Sequence, residues 1–196
     1  MNVGTPVVRE ALICLQEQGF VQRVANTGTF VTQFNAEQVR QLNALKVELE
    51  ALAFQWARPR VSAADLQELK GLVDMLLETG KRGDSRKFLE QDYSFHRRCW
   101  RLSGNFYLAE MLDRLMAPLF AFVVLAGGAP PTTPTGREHY ALIDALGNLQ
   151  EPEFSGVVRK ILTEFAFSRL SGISGGRSEP AKERAPHQTR RSDDAP

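Results

Sequence analysis

Cysteine is scarce: Cys14 and Cys99 are the only two in 196 residues. Two thiols so far apart in sequence do not make a disulfide framework, and a reduced, cytoplasmic setting is the expectation. Net charge is nearly absent as well, with 24 basic against 23 acidic residues. Nothing global therefore announces nucleic acid or a membrane surface, and any electrostatic footprint must be local. No signal-peptide pattern opens the sequence. The most apolar run, Leu115 to Ala129, is short and interrupted by Pro118, so it reads as a buried helix and not a membrane span. There is no internal repeat and no glycine-rich phosphate loop.

The chain does have enough apolar content, 43 %, for a proper core. The first 34 residues read as a short helix followed by a hairpin. Thr5 suits the N-cap of a helix over Thr5 to Gln18, Pro6 its first position and Gly19 its C′ position. Val8, Leu12 and Leu15 recur at helical spacing and are expected to face inward. Phe20 to Val24 and Thr29 to Gln33 are rich in β-branched and aromatic residues, with a turn over Ala25 to Gly28 between them. A helix carrying an exposed Arg9 ahead of a hairpin with Gly28 at its tip is the layout of a recognition helix and wing.

From Asn35 to about Leu170 the pattern is helical throughout. Asn35 with Gln38 and Ser62 with Asp65 are capping boxes, with staples at Phe34 and Val39 and at Val61 and Leu66. Val39, Leu42, Leu45, Leu49, Leu52 and Trp56 are expected to form the buried face of the first of these helices. The second runs to Gly80, the third from about Asp84 to Ser103, and the fourth from Asn105 through Leu125 with a bend at Pro118. A Pro/Gly/Thr loop over 127–135 precedes a fifth, capped by Thr135 and Glu138, and Pro152 opens a sixth. Short connections make an antiparallel bundle of six the economical arrangement. Residues 172–196 have almost no large apolar side chain and are expected to be a disordered, solvated tail. The expected fold is mainly α: a partial winged helix-turn-helix over residues 1–34 and an all-α antiparallel bundle over 35–171.

Two helices carry polar residues inside apolar stripes. In the third bundle helix, Asp92 and His96 lie four apart on the face of Phe88, Leu89, Phe95, Cys99 and Leu102, so their side chains should meet. In the fifth, His139 shares a face with Leu142, Ile143 and Leu146. A carboxylate and imidazoles in such stripes are costly unless paired or bound to a metal. Both readings stand: a hydrogen-bonded Asp92–His96 pair with a satisfied core His139, or a metal site between facing helices.

The stretch V-x-x-P-x-V-R-E-A-L-x-x-L-x-x-x-G-F-V…G-T-F-V resembles the winged helix-turn-helix of GntR-family transcriptional regulators. By that resemblance Arg9 reads the operator from the recognition helix, and Thr27 and Gly28 form the wing tip. Arg23 adds charge on the first wing strand. Thr5 stands where the family usually has arginine and Thr27 where a basic residue is common, so both departures weaken the expected contacts. D-Y-S-F-H-R (Asp92 to Arg97) and E-H-Y-A-L-I-D-A-L (Glu138 to Leu146) resemble the FCD effector-binding domain that defines the FadR-type branch. The resemblance implies a divalent metal, zinc or nickel, on Asp92, His96 and His139, beside a small carboxylate effector. The family's fourth ligand, a histidine near Lys160 to Leu162, has no counterpart here. Lys46 stands where relatives have an effector-binding arginine; it keeps the charge without the bidentate fork.

The implied function is a non-enzymatic, homodimeric regulator that binds a double-stranded DNA operator and responds to a small organic acid. A metal-dependent hydrolase built on Asp92, His96 and His139 lacks a separate general base or nucleophile at a matching spacing. The two helices that precede a recognition helix are missing from these 196 residues, so DNA binding by this chain alone is expected to be weak or absent. The alternative reading is accordingly a truncated sensor and dimerisation module without DNA binding.

Overall fold

The computed structural model describes residues 4–125 and 136–168, with the side chains at 136, 137, 167 and 168 left aside. The expected loop over 127–135, the Thr135 cap and the tail from 172 lie outside the described residues. Among the described residues, seven helices and one hairpin follow in order: α1 (Thr5–Glu17), β1 (Val21–Val24), β2 (Gly28–Val31), α2 (Ala36–Ala57), α3 (Ala63–Lys81), α4 (Ser85–Leu102), α5 (Phe106–Leu125), α6 (Gly136–Asn148) and α7 (Glu153–Ser168). Among the described residues, no helix is long and apolar enough to cross a membrane.

The local signals for starts and stops mostly hold. Asn35 accepts from the Gln38 amide at 2.8 Å while Gln38 reaches back to the Asn35 amide, which closes the box that starts α2. Ser62 and Asp65 do the same for α3, and Asp84 and Asn105 cap α4 and α5. Gly19 takes φ +80° after α1, with its amide on the Gln16 carbonyl and that of Phe20 on Leu15, so two orphan carbonyls are satisfied as the chain turns. The start of α1 departs from expectation. Gly4 is the N-cap, without a side-chain hydrogen bond, and Thr5 is already the first helical residue. Pro6 therefore takes the second position, where its missing N–H still costs nothing.

The hairpin pairs Val21 with Val31 and Val24 with Gly28. Its left-handed turn residue is Asn26 (φ 59°), with Gly28 at φ 149° beginning the return strand.

Two buried faces read from periodicity are corrected. Val8 and Leu15 are exposed and Leu12 only half-buried, because none of the described elements covers that side of α1. On α2, Leu45 and Trp56 are 48 % and 39 % exposed. Its sealed residues are Val39, Lys46, Val47, Glu50, Ala53, Phe54 and Ala57. α2 sits between α4, α5 and α7, and the row that faces α4 carries the ion pair of Lys46 and Glu50. The core divides into two clusters. One gathers Phe54, Leu69, Phe95, Leu142 and Leu162 from α2, α3, α4, α6 and α7. The other gathers Val39, Trp100, Leu112, Met116 and Leu119 from α2, α4 and α5. The polar cluster described next lies where they meet.

Candidate functional site

Burial of α4 and α6 by their apolar stripes brings three predicted residues together. Asp92, His96 and His139 are all fully buried, and one ligand atom from each lies within 4.8 Å of the others. The partners differ from the expected Asp92–His96 pair. Asp92 Oδ1 lies 3.1 Å from His139 Nε2, across the α4–α6 interface. His96 turns its other flank to α2, where its Nδ1 is 2.9 Å from Glu50 Oε1. That contact is off the axis of a well-aligned hydrogen bond, while the opposite nitrogen, Nε2, has no hydrogen-bond partner among the described residues. An imidazole nitrogen sealed from water without a partner costs roughly 1–3 kcal/mol, and a metal ion would remove that cost.

Glu50 is the buried residue beside the triad that sequence reasoning missed. It is fully buried, accepts a hydrogen bond from Trp100 Nε1 at 2.7 Å, and holds Lys46 Nζ 3.0 Å from its second oxygen. Burial pushes the Glu50 carboxyl upward, but the Lys46 charge and then His96 outweigh it and hold the group down at about 2. Burial, then the Lys46 charge, pushes His96 below its ordinary value against the pull of Glu50 and Asp92. His96 is therefore a neutral imidazole at neutral pH, the form that ligates metals. The signal available in the sequence was the i, i+4 spacing of Lys46 and Glu50, which reads equally well as a surface pair.

Bonds of about 2.0–2.2 Å to zinc hold ligand atoms within roughly 3–4.4 Å of one another, so this triad needs only small rotamer adjustments to close on an ion. A carboxylate with two imidazoles suits zinc or nickel. On α7 the neighbour is Phe165, whose ring centroid stands 4.7 Å from that of His139 and 5.9 Å from that of His96. Its apolar edge offers no fourth ligand. Lys46 stands at the rim of this centre, 6 % exposed and already engaged with Glu50.

At the other end of the chain, the five residues picked out for DNA contact border one cleft. Thr5, Arg9, Arg23, Thr27 and Gly28 line a space of about 550 Å³ between α1 and the hairpin, and no acidic residue lines it. Arg9 and Arg23 are its two charged lining residues, beside the apolar Val8, Leu12, Ile13 and Val24.

Comparison with known proteins places the architecture. Residues 41–163 match the family described as FCD domain. The chain is 36 % identical over 107 residues to the Nta operon transcriptional regulator of Aminobacter aminovorans, covering 54 % of this chain and 50 % of that one. It is 27 % identical over 115 residues to the HTH-type transcriptional regulator McbR of Escherichia coli, covering 59 % and 52 %. The chain thus spans about half the length of the curated relatives it matches. Among solved structures, E. coli McbR/YncC superposes with a TM-score of 0.73 at 21 % identity, over 89 % of this chain and 88 % of that one. A putative GntR regulator from Rhodococcus sp. RHA1 gives 0.70 at 20 % identity, over 90 % and 83 %. At such identities the superpositions speak for the fold, a hairpin-bearing head on an FCD-type helical body.

Proposed function

We propose, for a chain that belongs to the FCD-domain family of GntR-type regulators, that it is a DNA-binding transcriptional regulator whose helical body senses a small carboxylate beside a divalent metal. The observation that carries the sensing half is the sealed triad of Asp92, His96 and His139 with an unpartnered His96 Nε2. An ion held there would supply a Lewis-acidic seat for a carboxylate oxygen. The surrounding residues do the rest. Asp92 and His139 join α4 to α6, and Phe95 and Phe165 pack their rings against His139 and keep water out. Lys46 offers the cation for the effector's second oxygen, in competition with Glu50.

The DNA-reading half rests on Arg9 and Arg23 flanking one acid-free cleft, with Thr5, Thr27 and Gly28 supplying small groups that admit a phosphate backbone. A two-fold operator calls for two such heads, and an open face of the body supports a dimer. α2 and α5 run antiparallel, since Phe34 just before α2 stacks edge-on against Phe122 near the end of α5. Leu49 and Leu52 pack into the cluster shared with α5, while Leu45 and Trp56 of α2 and Tyr107 and Met111 of α5 stay exposed, with Phe106 stacked on Tyr107. At about 200 Å² per large side chain, those five expose on the order of 600 Å², close to the ~800 Å² per partner of a standard interface. Glu110 and Arg114 stand on the same helix as Met111, one residue before it and three after. A second copy laid antiparallel would set each opposite its complement.

Metal content by mass spectrometry and acid binding by calorimetry test the sensing half. Zinc or nickel near one per chain in the parent protein is expected, lost in His96→Ala, with carboxylate binding lost alongside it. Unchanged metal in His96→Ala would sink this reading. For the dimer, Trp56→Glu with Met111→Glu should give a monomer by sedimentation while the helical circular dichroism stays intact.

A further inference from the structure

From the buried contacts around α2 we infer that Glu50 is a positioning residue for the metal centre: it keeps the His96 proton on Nδ1, so that the Nε2 lone pair is the one presented to the ion. The inference rests on the metal reading above and extends it to a helix that contributes no ligand.

The geometry carries the argument. Imidazole has two nitrogens, and a neutral ring protonates only one of them. Glu50 Oε1 stands 2.9 Å from Nδ1. The tautomer with the proton on Nε2 would turn the Nδ1 lone pair toward a carboxylate oxygen, two electron-rich atoms at contact distance in a fully buried site. The tautomer with the proton on Nδ1 turns that repulsion into attraction, even off the ideal hydrogen-bond axis. Glu50 cannot swing away, because Trp100 Nε1 donates to the same oxygen at 2.7 Å and Lys46 Nζ holds the other at 3.0 Å. Two helices meet in this one carboxylate: its own α2, through Lys46, and α4, through His96 and Trp100. Metal-bound histidines elsewhere commonly donate their far N–H to a carboxylate, which fixes ring orientation and raises ligand basicity. Here the carboxylate is present on its own account, as the anion that Lys46 requires, and the histidine shares it.

Two measurements on the full chain separate this inference from the metal reading. The first uses metal-free protein labelled with 15N-histidine, whose nitrogen shifts identify the tautomer. The Nδ1–H form is expected for His96, and the Nε2–H form would overturn the inference whether or not any metal binds. The second titrates Co²⁺ and Zn²⁺ into Lys46→Met protein and into two derivatives of it. Adding Glu50→Met, which deletes the acceptor, should weaken the metal about 10- to 100-fold. Adding Glu50→Gln, which keeps an acceptor oxygen, should recover much of that loss together with the Nδ1–H tautomer. A structural role for Glu50 alone predicts the opposite sign, because in the Lys46→Met background the second change removes a stranded buried charge and firms the site. Metal affinity within threefold of the background in both derivatives would overturn the inference. Failure of the parent chain to bind either ion would sink the metal reading while the tautomer result still decides this one.

Discussion

In α1, Val8 and Leu15 follow helical spacing and stand in solvent; in α4, Phe95 and Cys99 follow the same spacing and are sealed. The two helices differ in what surrounds them. α4 is flanked by α2, α3 and α5, whereas the main partner of α1 among the described residues is the first strand of the hairpin. Gly19, where α1 turns into the hairpin, approaches Pro118 of α5 closely enough that a Cβ would meet its ring at 3.4 Å, so the head touches the body at a narrow join. Periodicity specifies which side of a helix is apolar. It does not specify that a neighbour will be there to cover it.

This contrast can be broken most directly by cutting a side chain from each region. Phe54→Ala removes a wholly buried ring from the main core and should cost about 3–5 kcal/mol in urea unfolding. A loss under 1 kcal/mol would mean the body is packed far more loosely than described.

Acid should weaken the body next. Burial, then the Lys46 charge, disfavours protonated His96 in the folded state, so below the ordinary histidine value near 6.5 the unfolded chain binds more protons. The stability is fully present above that value and is lost as pH falls through it toward the folded value. Metal-free protein should lose stability as pH falls below 6.5, with a slope of at most ~1.4 kcal/mol per unit. Glu50, held down at about 2, adds a further loss in the same direction below about pH 4.5. Stability that is flat from pH 7 to 5 would contradict the buried neutral imidazole.

In the head, Arg9→Ala should weaken binding to duplex DNA about tenfold in fluorescence anisotropy and flatten the salt dependence by about one unit of log–log slope. The melting temperature should not move, since Arg9 is exposed. An unchanged affinity would remove the cleft from the DNA-reading account. Leu15→Ser is expected to have the smallest effect, within ~0.5 kcal/mol of stability, because the side chain is already 38 % exposed. A larger loss would show that this face is covered in solution, and the contrast between head and body would narrow.

Much of the site was legible. Asp92, His96 and His139 stood out because each is a polar residue inside an apolar stripe, and a stripe is a burial statement wherever neighbours exist. The capping boxes at Asn35 and Ser62 were legible because they depend on residues three apart. Glu50 was hidden for a matching reason. Its neighbours in L-K-V-E-L-E alternate apolar and charged, Glu48 is exposed and reaches Arg159 on α7, and nothing local distinguishes the two glutamates. The expected face of α2 failed in the same way: the richest apolar stripe, from Leu42 to Trp56, proved to be half-open, and the sealed row was the one carrying the ion pair.

By itself, then, the order of residues determined the helices, their boundaries and the polar residues destined for an apolar interior, because capping and amphipathic spacing act over one or two turns. Which oxygen faces which nitrogen was decided only by tertiary packing. His96 met Glu50, and Asp92 met His139, because α2 and α6 approach α4 from different sides, and pairings between helices depend on rotation and distance that no local spacing encodes.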